Sequence, residues 1–559
     1  MNDEITSSPL DAHFAALMVR LNGSADPDVE AAARMVSEWR TAGHTCVPLD
    51  EALAGRLRNA RVVGQPGEFK PLILDARGRL YLQRYWAYEA DLAAAIHSRL
   101  QPAECDSRLL AKGLVRLFPG APKTDGQRLA AEAAVREKFC VITGGPGTGK
   151  TYTVARLLAL IVDQFSTQGR VPRIALAAPT GKAAARLQEA LAASLATMTE
   201  TDALRRALPG EASTIHRLLG TIPDSPYFRH DRSRPLAVDL VVVDEASMVD
   251  LALMAKLFAA VPETARIVLL GDKDQLASVE AGNVLGDICN TAGRADSRAD
   301  IAAHIVELTH TRRFGGDSGI GRLSSLVNGG DADAALALLR EKAHADLSYA
   351  PTPAPHALEA ELRSRIVDGY RSFLEAADPR AALDRLGDFR ILCATRRGPY
   401  GVENLNVLAE RALTSAELIS PEGIHYHGRP VLIRTNDYQL RLFNGDVGLI
   451  LRDPEAGDEP RAFFIDTTGA LRRVLPARLP AHETSFAMTV HKSQGSEFDR
   501  VLLLLPDRES PVATRELLYT GLTRVRRQVE LWADDAVVRA TIERRTERAS
   551  GLRDALWER

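Results

Sequence analysis

The sequence predicts an α/β protein of two parallel-sheet units, with a helical N-terminal domain and a small β-barrel inserted in the second unit. Three observations carry this. From Gln127 to about Asn328, short apolar runs at 139–143, 174–178, 239–243, 267–270 and 304–308 alternate with helical patterns or loops. That alternation is the mark of a parallel sheet with ligands at the carboxyl ends of its strands. A second such stretch opens near Phe389-Arg-Ile-Leu-Cys-Ala-Thr395 and closes with Arg500-Val-Leu-Leu-Leu-Leu-Pro506 and the helices after it. Between them, 424–485 reads as short strands and turns, among them Gly428–Arg434, the Asn444-Gly445 turn and Val447–Leu451. The expected boundaries are 1–115 for the N-terminal domain, 120–360 for the first unit, 361–423 with 486–559 for the second, and 424–485 for the insertion.

Residues 1 to about 115 are expected to be helical and to meet a partner. Leu10-Phe14-Leu17-Met18-Leu21 and Val29-Ala33-Met35-Val36-Trp39 repeat at helical spacing, with Gly43 where a C-terminal cap belongs. Leu72-Ile73-Leu74, Arg77-Gly78 and Leu80-Tyr81-Leu82 read as a small hairpin before a helix through Leu92, Ile96 and Leu100. The aromatic cluster Tyr81, Tyr85, Trp86 and Tyr88 suits either internal packing or base stacking. A turn-rich linker, 118–127, follows.

With 559 residues the chain has room for about three or four domains. Its formal net charge of −3 means that any groove for a polyanion must come from local clusters of Lys and Arg. Five scattered cysteines without metal-ligand spacing fit a reducing cytosol. The first residues lack a signal-peptide core, and no apolar run approaches the ~18 residues of a membrane span. A cytoplasmic protein without a membrane partner is expected.

The sequence is most specific at Val141-Ile-Thr-Gly-Gly-Pro-Gly-Thr-Gly-Lys-Thr151, a strand, a glycine-rich turn and a helix through Val154, Leu157, Leu158 and Ile161. Gly144, Gly149, Lys150 and Thr151 fill the P-loop pattern, and the whole loop (Gly144, Gly145, Pro146, Gly147, Thr148, Gly149, Lys150, Thr151) is expected to bind nucleotide. Glycines let the backbone turn its N–H groups inward, and the helix adds its positive end beneath the same anion. Lys150 suits the β- and γ-phosphates, and the Thr151 hydroxyl suits Mg²⁺. A second apolar strand ends in Asp244-Glu245. Asp244 is expected to hold Mg²⁺ opposite Thr151, and Glu245 to polarise the attacking water. The other reading of these acids, a capped helix start, loses weight beside a P-loop. Gln275, after the strand Ile267–Leu270, is expected to sense the γ-phosphate or place water. Gln127, upstream, suits an adenine edge and favours ATP. Arg313 and Arg524 are the candidate guanidinium groups for the charge developing on the γ-phosphate.

Eight segments occur in the order of superfamily 1 helicase motifs: GGPGTGKT, APTGKAAARL, STIHRLLG, DEASMVD, GDKDQLASVEAG, LTHTRRF, MTVHKSQGSEFD and ELLYTGLTRVR. With GPYGVENLN, FNGDVG and LYLQRYW, the chain resembles the RecD family, the α subunits of RecBCD-type helicase–nucleases (exodeoxyribonuclease V). The resemblance implies two RecA-like domains, an ATP- and Mg²⁺-dependent 5′→3′ motor on single-stranded DNA, and an SH3-like insertion at 424–485. It implies RecB-like and RecC-like partners at DNA duplex ends, in double-strand break repair by recombination, with exonuclease activity assigned to a partner. DNA contacts would fall on Pro179, Thr180, Gly181, Lys182, His216, Thr489, Val490, His491, Lys492 and Gln494, with Gly495 and Glu497 facing both DNA and nucleotide. Relatives tend to carry an aromatic where this chain has Arg312, which leaves open whether Arg312 or Arg313 reaches the nucleotide. A front end too short for the stand-alone RecD-like helicases favours the complex-forming subunit over that alternative.

Overall fold

The computed structural model describes residues 8–198, 202–289, 300–311, 313–315, 317–437, 439–466 and 469–558. The α/β class holds, with two all-parallel sheets. The first orders its strands Ile305–Leu308, Phe139–Gly144, Arg266–Gly271, Leu240–Val243, Ile174–Ala178 and Ser213–Thr214. Its four inner strands are buried along their whole length because both faces are covered. Phe139, Val141, Val241 and Val243 meet helices Gln83–His97 and Leu251–Ala260. On the opposite face Cys140, Ile142, Leu240 and Val242 meet helices Gly126–Arg136, Lys150–Ser166 and Gly181–Ala196.

The second sheet runs Leu347–Ala350, Val525–Trp532, Phe498–Leu504, Phe389–Cys393 and Ala487–Thr489. Leu347–Ala350 pairs with Val525–Trp532, and helices Gly319–Gly329 and Ala332–Glu341 pack in the same apolar cluster as Leu503 and Leu517. The expected break near 360 therefore falls too late: the polypeptide joins the second core from about Gly319 onward.

Between Phe389–Cys393 and Ala487–Thr489 stands the insertion, a five-stranded antiparallel sheet. Alternation along its strands gives it two apolar faces. Val431, Ile450 and Phe464 form its own small core, while Leu449, Leu451 and Phe463 join the core of the second unit.

The N-terminal region is helical over Pro9–Asn22 and Pro27–Thr41, as the periodicity predicts. Gly43, at φ +95°, ends the second helix: its N–H donates to the Arg40 carbonyl and that of His44 to the Trp39 carbonyl, both at 3.0 Å. The expectation of a helical region with one small hairpin is incomplete. The predicted hairpin is the middle of a four-stranded sheet completed by Cys46–Pro48 and Val63–Gly64. Tyr81 and Tyr85 are buried, so half of the aromatic cluster is packing. At the other end of the chain, Asp554 pairs with Arg77 and Arg79, and Thr45 donates to the Ala549 carbonyl, tying the C-terminal segment to the N-terminal sheet. Among the described residues, no helix is long and apolar enough to cross a membrane.

Candidate nucleotide and nucleic-acid site

The P-loop strand ends at Gly144, and its helix begins at Lys150. Gly147 and Gly149 take left-handed φ of +78° and +85°, which other residues resist. Space closes on the same glycines. A Cβ on Gly145 would lie 2.8 Å from the Tyr519 hydroxyl, one on Gly147 2.3 Å from Arg313 Cβ, and one on Gly149 2.2 Å from Gln127 Nε2. The loop thus touches three side chains that the sequence scatters. Thr148 is buried and donates to the Gly145 carbonyl at 2.8 Å, fastening the turn. The Lys150 ammonium donates to the carbonyls of Gly144 and Gly145. Gln127 donates to the Thr148 carbonyl at 2.8 Å, so its amide is attached to the loop itself.

Asp244 and Glu245 follow strand Leu240–Val243. Glu245 adopts φ +52°, a left-handed backbone rarely held without surrounding support. Its N–H donates to Asp244 at 2.9 Å. Burial, then the neighbouring Glu245 charge, pushes Asp244 up to about 6, against the pull of Lys150 and Arg186.

Gln275 lies within a loop that the second unit grips. Its Nε2 donates to Asp272 at 3.0 Å, and Tyr519 of the second unit donates to the same carboxylate oxygen at 3.0 Å. The next residue, Leu276, donates its N–H to Thr520 and accepts at its carbonyl from Gln494, both at 2.9 Å. Its side chain sits in the apolar cluster of the second unit. Asp272 and Tyr519 escaped the sequence reading. The signal lay in the same segments, GDKDQ and LYTGLTR, but only the fold sets them face to face.

Arg313 and Glu497 form an ion pair across the units, and Arg313 also donates to the Thr523 carbonyl at 3.3 Å. Against the effect of burial, Arg313 and then Arg186 hold the Glu497 carboxyl down at about 2. Arg526 adds a further contact at 3.2 Å. Arg312 lies outside the described residues. Arg524 is buried and donates to the carbonyls of Thr520 (3.2 Å) and Ser496 (3.5 Å), within its own unit. Arg186, unremarked in the sequence, joins Lys182 on one helix and faces Glu497 at 4.0 Å.

The candidate DNA residues divide. Thr180 caps the helix Gly181–Ala196, and Thr489 caps Val490–Ser493, so both hydroxyls accept backbone N–H groups. Lys492 donates to Asn444 of the insertion at 3.0 Å. A Cβ on Gly181 would lie 3.2 Å from the Phe443 ring, and Lys182 feels the Asp446 carboxylate. One turn of the insertion, 443–446, therefore stands over both lysines. Burial, with Arg186 and Arg390 nearby, pulls the Lys182 ammonium down to about 7. His216 is exposed, its ring edge-on to Phe228 at 5.7 Å. His491 is partly buried beside Lys492. Pro179 lies between strand Ile174–Ala178 and Thr180. Gly495 takes φ +69° and approaches Ala183 of the first unit. Two expectations need correction. The Val490 side chain belongs to the core of the second unit, and the Gln494 Nε2 donates to the Leu276 carbonyl, so both side chains are engaged with protein.

A P-loop facing a second parallel-sheet unit across a polar cleft is the site of a nucleotide-driven motor. Family models agree in place: an AAA domain at 127–281 and a UvrD-like helicase C-terminal domain at 484–531. The protein is of the ATP-dependent DNA helicase class. A third model, the N-terminal domain of RecBCD enzyme subunit RecD, matches 6–57. The RecBCD enzyme subunit RecD of Mycolicibacterium smegmatis is 41% identical over 98% of this chain and 97% of its own. The chain belongs to the RecD family. The ATP-dependent RecD2 DNA helicase of Deinococcus radiodurans is 30% identical over 87% of this chain and 62% of its own. Among solved structures, Bacteroides Pif1 bound to ssDNA aligns with 76% of this chain and 95% of its own at 18% identity and a TM-score of 0.42.

Proposed function

We propose that the chain is the 5′→3′ single-stranded-DNA motor of a cytoplasmic RecBCD-type assembly. It would act with RecB-like and RecC-like subunits at duplex ends in double-strand break repair. The observation that carries this is the seam: Asp272–Tyr519, Leu276–Thr520, Leu276–Gln494 and Arg313–Glu497 join the nucleotide side of the first unit to the second. A change at the loop is thereby felt at Gln494, next to the segment 489–492 that is the DNA candidate.

In this reading ATP lies on the P-loop, whose glycines at positive φ allow the turn, and Gln127 reads adenine. Lys150 exchanges its two loop carbonyls for phosphate oxygens. The donor set fits Mg²⁺: burial and the adjacent Glu245 charge raise the Asp244 carboxyl, and a cation beside the two acids would relieve both. Asp244 and the Thr151 hydroxyl would hold the ion, which supplies charge neutralisation at the phosphates. Glu245 polarises water, and Gln275 places it. Arg313 leaves Glu497, and Arg524 leaves its carbonyls, to stabilise the charge of the transition state. Closure of the units would then draw the strand between Lys182 and Lys492, under the insertion, which we take to be SH3-like.

The RecD2 relative supports a second reading, a stand-alone 5′→3′ helicase. Strand displacement on 5′- and 3′-tailed duplexes, with and without co-expressed partner subunits, separates the two. Unwinding from 5′ tails by an assembly of three subunits supports the first, full activity of the lone chain supports the second, and 3′-tail preference overturns both.

A further inference from the structure

The Gln275 side chain is buried, and its amide is used on one side only. Nε2 donates to Asp272, whereas Oε1 is buried without a hydrogen-bond partner among the described residues. An orphaned buried acceptor is costly and calls for a reason. An ionised Asp272 offers acceptors only, so it admits the amide N–H and turns the carbonyl away. Asp272 is itself fully engaged: Oδ1 accepts the Asp274 N–H at 3.1 Å, and Oδ2 accepts both Gln275 and Tyr519 at 3.0 Å. Burial raises Asp272, and the Lys150 charge, then the Asp274 N–H and the Gln275 amide, oppose that rise.

We propose that Tyr519 of the second unit is a positioning residue. It holds Asp272 in place as an ionised acceptor and thereby fixes the Gln275 amide with its carbonyl oxygen presented as the free acceptor of the cleft. A carbonyl accepts a proton of water; the opposite face of the amide would donate to phosphate instead. Tyr519 is well placed for this, because its hydroxyl also abuts Gly145 of the P-loop. The two units must approach for the hydroxyl to reach Asp272, so the orientation of Gln275 is set only when the cleft is assembled. The inference rests on the reading of Gln275 as the residue that places water.

The test uses the full chain with oligo(dT), comparing Tyr519→Phe, Gln275→Ala and the double variant. Tyr519→Phe keeps the ring and removes only the hydroxyl. Expected is a kcat for DNA-stimulated ATP hydrolysis about tenfold lower with KM within twofold, the loss of one hydrogen bond to a charged group. The double variant should turn over no more slowly than Gln275→Ala alone. Wild-type kcat in Tyr519→Phe, or losses that multiply in the double variant, overturns the positioning role while leaving Gln275 intact. Wild-type kcat in Gln275→Ala overturns the role of Gln275 and the inference with it. Thermal melting of each variant within a few degrees of wild type excludes simple unfolding.

Discussion

Raising the pH from 7 to 8.5 is expected to weaken single-stranded-DNA binding by about 16-fold through Lys182 alone. Burial among Arg186 and Arg390 leaves this lysine half-protonated near neutrality, at about 7. A phosphate at the ammonium restores the ordinary lysine range, so binding takes up a proton that the free protein increasingly lacks. Roughly half of the free molecules carry the charge at pH 7 and about 3% at pH 8.5, and their ratio sets the 16-fold figure. Stability moves the other way. The unfolded chain keeps the proton to the ordinary lysine range while the folded chain releases it near 7, so stability rises with pH across this window. Weaker binding is therefore not unfolding. Burial holds His491 below its usual value, outside the window. Fluorescence anisotropy with labelled oligo(dT) at fixed ionic strength reads the slope. Lys182→Arg, charged throughout, should bind with a flat profile, and Lys182→Met weakly and flat. A flat wild type refutes the assignment of Lys182 to phosphate; burial also lowers Lys492, so a slope that survives in Lys182→Arg but not in Lys182→Arg/Lys492→Arg belongs to Lys492.

Lys150→Gln should abolish DNA-stimulated ATP hydrolysis while circular dichroism and melting stay unchanged; near-normal turnover removes the P-loop from the mechanism. Arg524→Ala should bind a fluorescent ATP analogue within about threefold of wild type yet hydrolyse ATP about 10³-fold more slowly. Equal loss of binding and turnover would make it structural, as its bonds to Thr520 and Ser496 alone suggest. The Mg²⁺ concentration for half-maximal activity should climb as pH falls through about 6, because a protonated Asp244 carries no charge for the ion. The raised carboxyl binds its proton more tightly folded than unfolded, so Asp244 costs stability as pH rises from about 4 to 6. Asp244→Asn should remove that dependence in thermal melts.

The elements were legible where the physics is local. A buried parallel strand is a continuous apolar run, and a P-loop is a fixed spacing, so the first sheet and the nucleotide loop stood out. The short strands Cys46–Pro48 and Val63–Gly64 are too brief for any periodicity, and Leu347–Ala350 falls inside the expected first unit, 120–360, although its strand partner lies at Val525–Trp532. The same limit applies to Val490. Its motif marks it as a contact, but its apolar side chain was always more stable in the core than beside phosphate.

The site departed from the sequence reading wherever two distant segments meet. The sequence places Gln275 and Arg313 at the nucleotide, yet each is held by a residue of the second unit or by one that unit engages. This is more than omission of partners. A guanidinium paired with Glu497 and an amide fixed by Asp272 are groups whose chemistry is gated by the relative placement of two sheets. Leu276 shows why such gating can be abrupt. With its N–H, its carbonyl and its side chain all taken by the second unit, it cannot shift partway without leaving a buried polar group unpaired. The loop carrying Gln275 must therefore move with the second unit or break from it whole, which turns a gradual closure of the cleft into a two-state setting of the hydrolytic residues.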